Sequence, residues 1–275
     1  MSQAHRMRDP VLCYNQVMKY AFYTRKNRDD ADKLKEVIKK NINPEYIEDE
    51  TDPDIVICIG GDGTFLEAVS KYIDKVDKVA FIPFMTGHVG FYIDFLPEDA
   101  ILINHILEKK PFIQELPLIE AEIDKEKYYA VNEFSLGQFA HASAYDIRVD
   151  NELLESYYGS GLLISTTYGS SAYNRSVGGP IVDNELDAII LSKIAPITSR
   201  QYTSIAAPIV LKDDKIITLE YKTKHKYKYL QTLTADNRVY TFDNFSTITI
   251  KKSQKSVKLY TRERFTYLKR IRKAC

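Results

Sequence analysis

Five consecutive residues, Gly60, Gly61, Asp62, Gly63 and Thr64, carry the first chemistry legible in this sequence. Glycines take positive φ and let another molecule approach their amides, and a helix starting here would aim free N–H groups at an anion. Thr64 stands where a hydroxyl can cap that helix. Asp62 is the odd member, because a carboxylate repels phosphate. Three roles suit it: carrying a magnesium ion, accepting a proton from an attacking hydroxyl, or closing an Asx-type turn. Two other groups could meet a polar ligand. Asn132 and Glu133 directly follow an apolar run, and a carboxylate there accepts well from ribose hydroxyls; an ordinary strand end is the plainer reading of the pair by itself. Residues 158–180 combine glycines and hydroxyls in a segment rich in hydrogen-bonding groups and poor in bulk, suited to a groove for a polar ligand or to a long surface loop.

Elements must hold these residues in place. Ile55 to Ile59 is an unbroken apolar run rich in β-branched side chains, as in a parallel strand covered on both faces. Phe65, Leu66, Val69, Tyr72, Ile73 and Val76 then recur at helical spacing, so the pattern is strand, glycine turn, helix. Upstream lie a strand over 19–24 and a helix opened by Asp29 and Asp30, with Ala31, Leu34, Val37 and Ile38 on one face. The acidic residues 48–54 read as a solvated loop. Downstream come a buried strand over 78–84, a loop over 86–92 with two glycines and two aromatics, and a helix from Pro97 carrying Ala100, Ile103 and Leu107. This alternation predicts an α/β domain with a parallel sheet over 18–110, closed by Pro111. Beyond it the period becomes two. Segments 118–123, 128–131, 145–149, 161–165, 216–220, 229–233, 247–250 and 257–260 are separated by polar turns such as Asp124-Lys125, Asp150-Asn151 and Asp213-Asp214. That pattern predicts an all-β, sandwich-like domain over 111–260. Residues 261–275, with Phe265, Leu268 and Ile271 among basic residues, predict an amphipathic helix that packs back on the N-terminal domain. Residues 1–17 show no period and read as a disordered extension before a functional start at Met18.

The chain of 275 residues has room for two modest domains. Its 38 Lys and Arg balance 38 Asp and Glu, so no long-range field gathers nucleic acid, and the lysines and tyrosines of 222–228 read as a solvated hairpin. No apolar run approaches the ~20 residues of a membrane span, and the N-terminus is too polar for a secretory signal. Cys13, Cys58 and Cys275 are odd in number and scattered, as in a reducing cytoplasm. The five histidines lack metal-ligand spacing, so no protein-only metal site is expected.

The Gly60–Thr64 string after a buried strand resembles the phosphate-binding turn shared by NAD kinases, diacylglycerol and sphingosine kinases, and 6-phosphofructokinases. It is not a Walker A loop, since no Gly-Lys-Ser/Thr follows. Thr86-Gly-His-Val-Gly-Phe91, the Asn132-Glu133 pair, and the run from Ser165 to Ser176 followed by Gly178 and Gly179 narrow the resemblance to the bacterial type of the NAD kinase family. It extends from about Lys19 to the C-terminal helix.

The resemblance implies ATP-dependent phosphorylation of the 2′-hydroxyl of the adenosine ribose of NAD, giving NADP. Asp62 would then be the catalytic carboxylate, and Gly60, Gly61, Gly63 and Thr64 would hold phosphates, with Asp62 and Gly63 also bordering NAD. Phe91 would face adenine, and Asn132 and Glu133 would contact adenine and ribose hydroxyls. Ser171, Ala172, Tyr173, Asn174, Arg175 and Ser176 would line the NAD site, with Ser160, Ala195 and Asn237 completing it and Ala195 touching the nicotinamide half. Magnesium would arrive with ATP, polyphosphate is an alternative donor, and the assembly implied is a homotetramer whose neighbouring subunits complete the NAD pocket. Such a reaction needs positioning and charge neutralisation more than covalent chemistry.

Three departures from the family pattern stand out. The usual Arg/Lys-Gly-Asp-Gly is Tyr158-Gly-Ser-Gly161, so Ser160 carries no charge. The usual Thr-Pro-Thr/Ser-Gly is Thr166-Thr-Tyr-Gly169, which puts bulky Tyr168 where a small hydroxyl normally meets adenine. Asn237 follows Asp236 where relatives often carry His or Gly. A lost charged hydrogen bond costs ~1.5–3 kcal/mol, roughly ten- to hundredfold in affinity. The rival readings are a non-catalytic or altered-specificity NAD-binding paralogue and a diacylglycerol-type lipid kinase, whose apolar entrance only the C-terminal helix could offer.

Overall fold

The computed structural model describes residues 17–274 except 26–27, 88–89, 110–111, 138–140, 203, 223–229, 244 and 264–266. Expectations placed on residues 1–16, His88, Val89, Pro111, 223–228 and Phe265 therefore lie outside the described residues.

The first half alternates as its periodicity requires: β1 (Lys19–Thr24), α1 (Asp29–Asn41), β2 (Ile47–Glu48), β3 (Ile55–Gly60), α2 (Asp62–Lys71), β4 (Ala80–Met85) and α3 (Ile103–Glu108), the last preceded by a 3-10 turn over Pro97–Leu102. β3 is buried at every residue and lies between β1 and β4, parallel to both. Its alternate side chains feed two cores: Val56 and Cys58 pack with Phe65 and Val69 of α2, while Ile57 and Ile59 pack with Leu34 and Ile38 of α1. Burial pushes the Cys58 thiol well above its usual range, so it behaves as a small apolar side chain. The buried seam of α1 is Ala31, Leu34 and Ile38, and Val37 turns to solvent at 37% exposure.

The second half is mostly strand: β5 (Phe112–Ile123), β6 (Glu126–Ala130), β7 (Glu133–Gly137), β8 (Ser143–Val149), β9 (Glu152–Thr166), a short helix α4 (Tyr173–Ser176), β10 (Ala188–Pro196), β11 (Ile209–Lys212), β12 (Ile217–Tyr221), β13 (Gln231–Ala235), β14 (Arg238–Phe242) and β15 (Thr247–Thr261), then helix α5 (Tyr267–Ala274). β9 pairs with β8 along its first part and with β7 and β10 along its second, so one long strand carries the chain between two layers. Ile119, Phe134, Tyr157, Leu162, Leu191, Leu219, Leu233 and Ile250 fill the core between them. The turns after β5 and β8 carry positive φ at Asp124, Lys125, Asp150 and Asn151, the twist-matched geometry of tight hairpins.

β15 contradicts the expectation of separate strands over 247–250 and 257–260. It is one 15-residue strand with an irregularity between Lys252 and Ser256. It pairs antiparallel with β5 along its length and parallel with β4 at Lys258↔Ala80 and Leu259↔Phe81. A continuous sheet thus runs through both halves in the order β14-β13-β7-β9-β8-β12-β15-β4-β3-β1-β2, with β5–β6 and β10–β11 branching from it. Strands β7, β10, β11 and β14 have no counterpart in the pattern read from sequence: β11 and β14 are short with half-exposed faces, whereas β7 and β10 are largely buried and lack a clean alternation.

The C-terminal helix does return to the first half, but on a different face than its apolar residues imply. Tyr267 and Arg270 are buried and Ile271 packs on the first core, whereas Leu268 is 71% exposed. Replacing fully buried Leu259 at the β15–β4 junction by Ala is expected to cost about 2–5 kcal/mol. Urea unfolding monitored by circular dichroism reads this as a lowered midpoint, with Leu259→Met losing under about 1.5 kcal/mol.

Candidate active site

β3 ends at Gly60, Gly61 takes the N-cap position, and Asp62 is the first residue of α2. Thr64 is not the cap. It is buried inside the first turn, and its hydroxyl lies where a Cβ on Gly60 would come within 2.2 Å, so the strand-to-helix corner closes only over glycine. The Asp62 carboxylate reaches across to the loop after β4. Phe91 N–H donates to Oδ2 at 2.7 Å and Tyr92 N–H donates to Oδ1 at 3.0 Å. These are bonds to residues 29 and 30 positions away, not the local bond of an Asx turn. A Cβ on Gly90 would stand 2.5 Å from Oδ1, so the loop passes this carboxylate only with glycine there. Burial pushes the Asp62 carboxyl above the usual range, and the two amides and the Arg270 charge oppose it.

Tyr92 joins Asp62 to the β-rich half. Its hydroxyl donates to Asn132 Oδ1 at 2.5 Å, while its amide holds Asp62. The backbone around Asn132 is fixed by Asp236, which accepts from the amides of Val131 (2.9 Å), Asn132 (2.7 Å) and Glu133 (3.2 Å). Asp236 sits at φ 52° in the β13–β14 turn, a left-handed conformation that Asp tolerates. Glu133 does not end a strand but opens β7, a correction to the plainer reading of the pair. The nearby Tyr173 amide favours its ionised form, and its Oε2 is buried without a partner. Burial, then the Asp236 charge, pushes Glu133 up to about 8; burial likewise lifts Asp236 to about 6 against its three amide donors. Burial, and then the charges of Asp236, Asp62 and Glu133, push the Tyr92 hydroxyl well above its usual range.

The other expected site residues divide into groups. The Phe91 ring is 6% exposed, edge-on to Tyr92 and Tyr267, so it is the Phe91 amide that meets Asp62. Asn174 is buried: Nδ2 donates to the Ser170 and Pro180 carbonyls, and Oδ1 accepts from Ser192. It holds its segment in shape while Tyr173, Arg175 and Ser176 stand exposed and Ser171 and Ala172 half-buried. Asn237 donates to Glu67 Oε1 at 3.2 Å and reaches the Gly63 carbonyl at 3.5 Å, tying the β13–β14 turn to the start of α2. Ser160 and Ala195 lie apart. Both are exposed, between the Gly161↔Ile194 and Gly159↔Pro196 pairs of β9 and β10. Ser160 is five residues along β9 from Ser165, the register partner of Glu133, or about 17 Å. Tyr168 is turned inward, its hydroxyl accepting from Gln114 and Asn184 at 2.8 Å each. Tyr92, Asp236 and Arg270 were missed as site residues. An Asp-Asn pair between two strand-like runs is a turn signal that could have found Asp236, but nothing in the basic tail distinguishes Arg270.

A half-buried carboxylate fixed beside a glycine turn at a helix start suits a phosphotransferase acting on a hydroxyl, the class to which the family comparisons assign the chain. The family description of the ATP-NAD kinase N-terminal domain matches residues 11–110, and that of the C-terminal domain matches 132–262. The NAD kinase of Shouchella clausii is 34% identical over 254 residues, covering 89% of this chain and 94% of the relative. That of Lactobacillus acidophilus is 36% identical over 198 residues, 70% and 73% of the two chains. A yeast NADH kinase solved with NADH superposes with a TM-score of 0.81 at 18% identity, covering 94% of this chain and 87% of its own. An Archaeoglobus fulgidus NAD kinase solved with ATP gives 0.72 at 23% identity, covering 93% and 96%. At these identities the two structures speak to the fold. The chain belongs to the ATP-NAD kinase family.

The Glu133 shift has a measurable consequence. A carboxyl whose folded value lies near 8 rather than 4.5 binds its proton more tightly when folded, so stability falls as pH rises between those values. Glu133→Gln removes this dependence. Its stability relative to the parent chain is expected to improve from pH 4.5 toward 8, by at most about 1.4 kcal/mol per pH unit. Thermal melts across that range check it; a pH-independent difference would mean that Glu133 is already ionised in the fold.

Proposed function

We propose that this enzyme transfers the γ-phosphoryl group of ATP to the 2′-hydroxyl of the adenosine ribose of NAD, with Asp62 as the base. ATP-dependent phosphorylation of NAD is the activity of the family to which the chain belongs. The observation that supports the assignment of roles is the pair of hydrogen bonds from Tyr92, one to Asp62 and one to Asn132, linking the carboxylate at the glycine turn to the β-rich half.

In this reading the ribose 2′-oxygen attacks the γ-phosphorus, a new O–P bond forms as the bond to the β-phosphate oxygen breaks, and ADP leaves. The hydroxyl proton passes to Asp62. Burial makes that carboxylate a stronger base than a solvated one, and the Phe91 and Tyr92 amides keep it ionised and aimed. The amides of Gly61 and Gly63 at the start of α2 donate to phosphate oxygens. Asn132 and Glu133 orient adenine and ribose, with the free Glu133 Oε2 as acceptor for a ribose hydroxyl. Tyr173, Arg175 and Ser176 border the dinucleotide, and Ser160 and Ala195 meet its nicotinamide half farther along β9.

The charge on the ATP phosphates would be neutralised by a divalent ion such as magnesium arriving with the nucleotide. The ion's ligands would be the phosphate oxygens of the nucleotide, since both Asp62 oxygens already accept from the Phe91 and Tyr92 amides. Among the described residues no group of three His, Cys, Asp or Glu side chains could hold it without the nucleotide. A homotetramer is the assembly proposed, supported by Leu153, Ile197, Ile205 and Val210 standing exposed on the β-rich half. No described helix is long and apolar enough to cross a membrane. The cytoplasm is the compartment proposed, where both substrates are available.

Protein incubated with magnesium, ATP and NAD is expected to yield NADP, with polyphosphate, NADH and diacylglycerol as comparison substrates. Asp62→Asn is expected to lower turnover by roughly 10²–10⁴-fold while NAD still binds. Undiminished turnover in that variant removes Asp62 from the role of base.

A further inference from the structure

We propose that helix α5 is a working part of the catalytic site, with Arg270 the positioning residue that holds the Phe91–Tyr92 amides against Asp62. The inference rests on Asp62 acting as the base.

Arg270 is 4% exposed, in a helix that is otherwise basic and largely solvated. Its guanidinium is planar and forked, and it uses two arms on one loop. Nη1 donates to the Phe91 carbonyl at 2.8 Å, and Nη2 pairs with Asp94, an ion pair with side-chain exposures of 5% and 8%. The peptide unit gripped through its oxygen is the one whose N–H belongs to Tyr92, and that N–H holds Asp62 Oδ1. A shift of this unit therefore moves the carboxylate directly.

The start of α5 and the chain leading into it are anchored to suit. The Tyr267 ring packs edge-on against Phe91 at 5.8 Å, and its hydroxyl shares a 2.6 Å hydrogen bond with Ser170 in the segment before Tyr173. The backbone N–H of Arg262 donates to Asp94, and its guanidinium pairs with Asp99. One face of the helix thus holds both the loop beneath the carboxylate, through Arg270 and Tyr267, and the segment before Tyr173, through Tyr267.

Desolvation explains why a cation is needed here. Buried carboxylates tend to take up a proton, and a base that is already protonated accepts nothing. The charge that acts on Asp62 is Arg270 from α5, itself paired with Asp94 on the loop, while Glu133, Asp236 and Asp62 act on the Tyr92 hydroxyl next to it. Arg270 is the positive member that favours the ionised form of Asp62.

Two variants of the full-length chain test this: Arg270→Met, and Arg270→Met with Asp94→Asn, which removes the stranded buried charge and spares the fold. Both are expected to lose roughly ten- to hundredfold in kcat with KM for NAD changed less than about threefold. The acid limb of the kcat profile should move to higher pH. Hydrogen exchange should speed up in the peptide containing Phe91 and Tyr92 and stay unchanged in strand 55–60. Arg270→Lys, which keeps the charge but not the fork, should move the pH limb less than Met does. Wild-type exchange at 91–92 together with an unmoved acid limb in either folded variant overturns the inference. So does an activity loss that merely tracks the loss of folded protein. If the parent chain turns over NAD while these variants match it, only the role of Arg270 falls. If the parent chain does not, the Asp62 reading fails, and the exchange result still decides whether Arg270 holds the loop.

Discussion

A carboxylate taken partly out of water beside a site for phosphates is the constraint on which this structure turns. Left alone, Asp62 would take up a proton or swing back to solvent, since desolvating a carboxylate costs several kcal/mol or more. Two amide donors at 2.7 and 3.0 Å offset that cost, and hydrogen bonds to a charged group contribute about 1.5–3 kcal/mol each. Those amides come from a loop that must itself be rigid. Gly90 lets it pass within touching distance of the carboxylate, Phe91 anchors it in the core, and Tyr92 ties it to Asn132.

The same logic organises the β-rich half. Asp236 uses its carboxylate on three successive amides, so the chain leaving β6 enters β7 along one path, and Asn132 and Glu133 emerge on it in fixed directions. Gly169 fits against the carbonyl of Asn132, where a Cβ would approach to 2.1 Å, and the Thr166 hydroxyl donates to the carbonyl of Val131. Burial, and then the Asp236 charge, raises the proton affinity of Glu133, and one of its oxygens is left free of partners. Substrate hydroxyls would find a preformed acceptor there, in a half attached to the first by the β15–β4 pairing and the Asn237 contact with α2.

Much of this was legible in the order of residues. The run from Ile55 to Ile59 could only be a covered strand, the turn after it could only be glycine-rich, and the hairpin turns at Asp124-Lys125 and Asp150-Asn151 follow from residues that accept positive φ. What escaped was set by pairing at long range. Thr64 looks like a cap in sequence but is consumed by packing under Gly60, and Leu268 looks like the buried face of α5 but is exposed. Tyr168 looks like an obstruction beside a ligand, yet its hydroxyl is held inward by Gln114, 54 residues away, and by Asn184.

From its sequence alone, the chain determined the class of each half, the position of the phosphate turn and the residue types that could do acid–base chemistry, because periodicity and glycine placement are local properties of the backbone. Only the tertiary structure decided which carboxylate is held by which amides, that Tyr92, Asp236 and Arg270 bond to or around Asp62 and Asn132, and that Ser160 and Ala195 lie farther along the β9–β10 pair. Those contacts join residues 29 to 179 positions apart, and their geometry depends on how two separately patterned halves close on one sheet. No local spacing encodes that closure, since it is the sum of many weak packing choices across the whole chain.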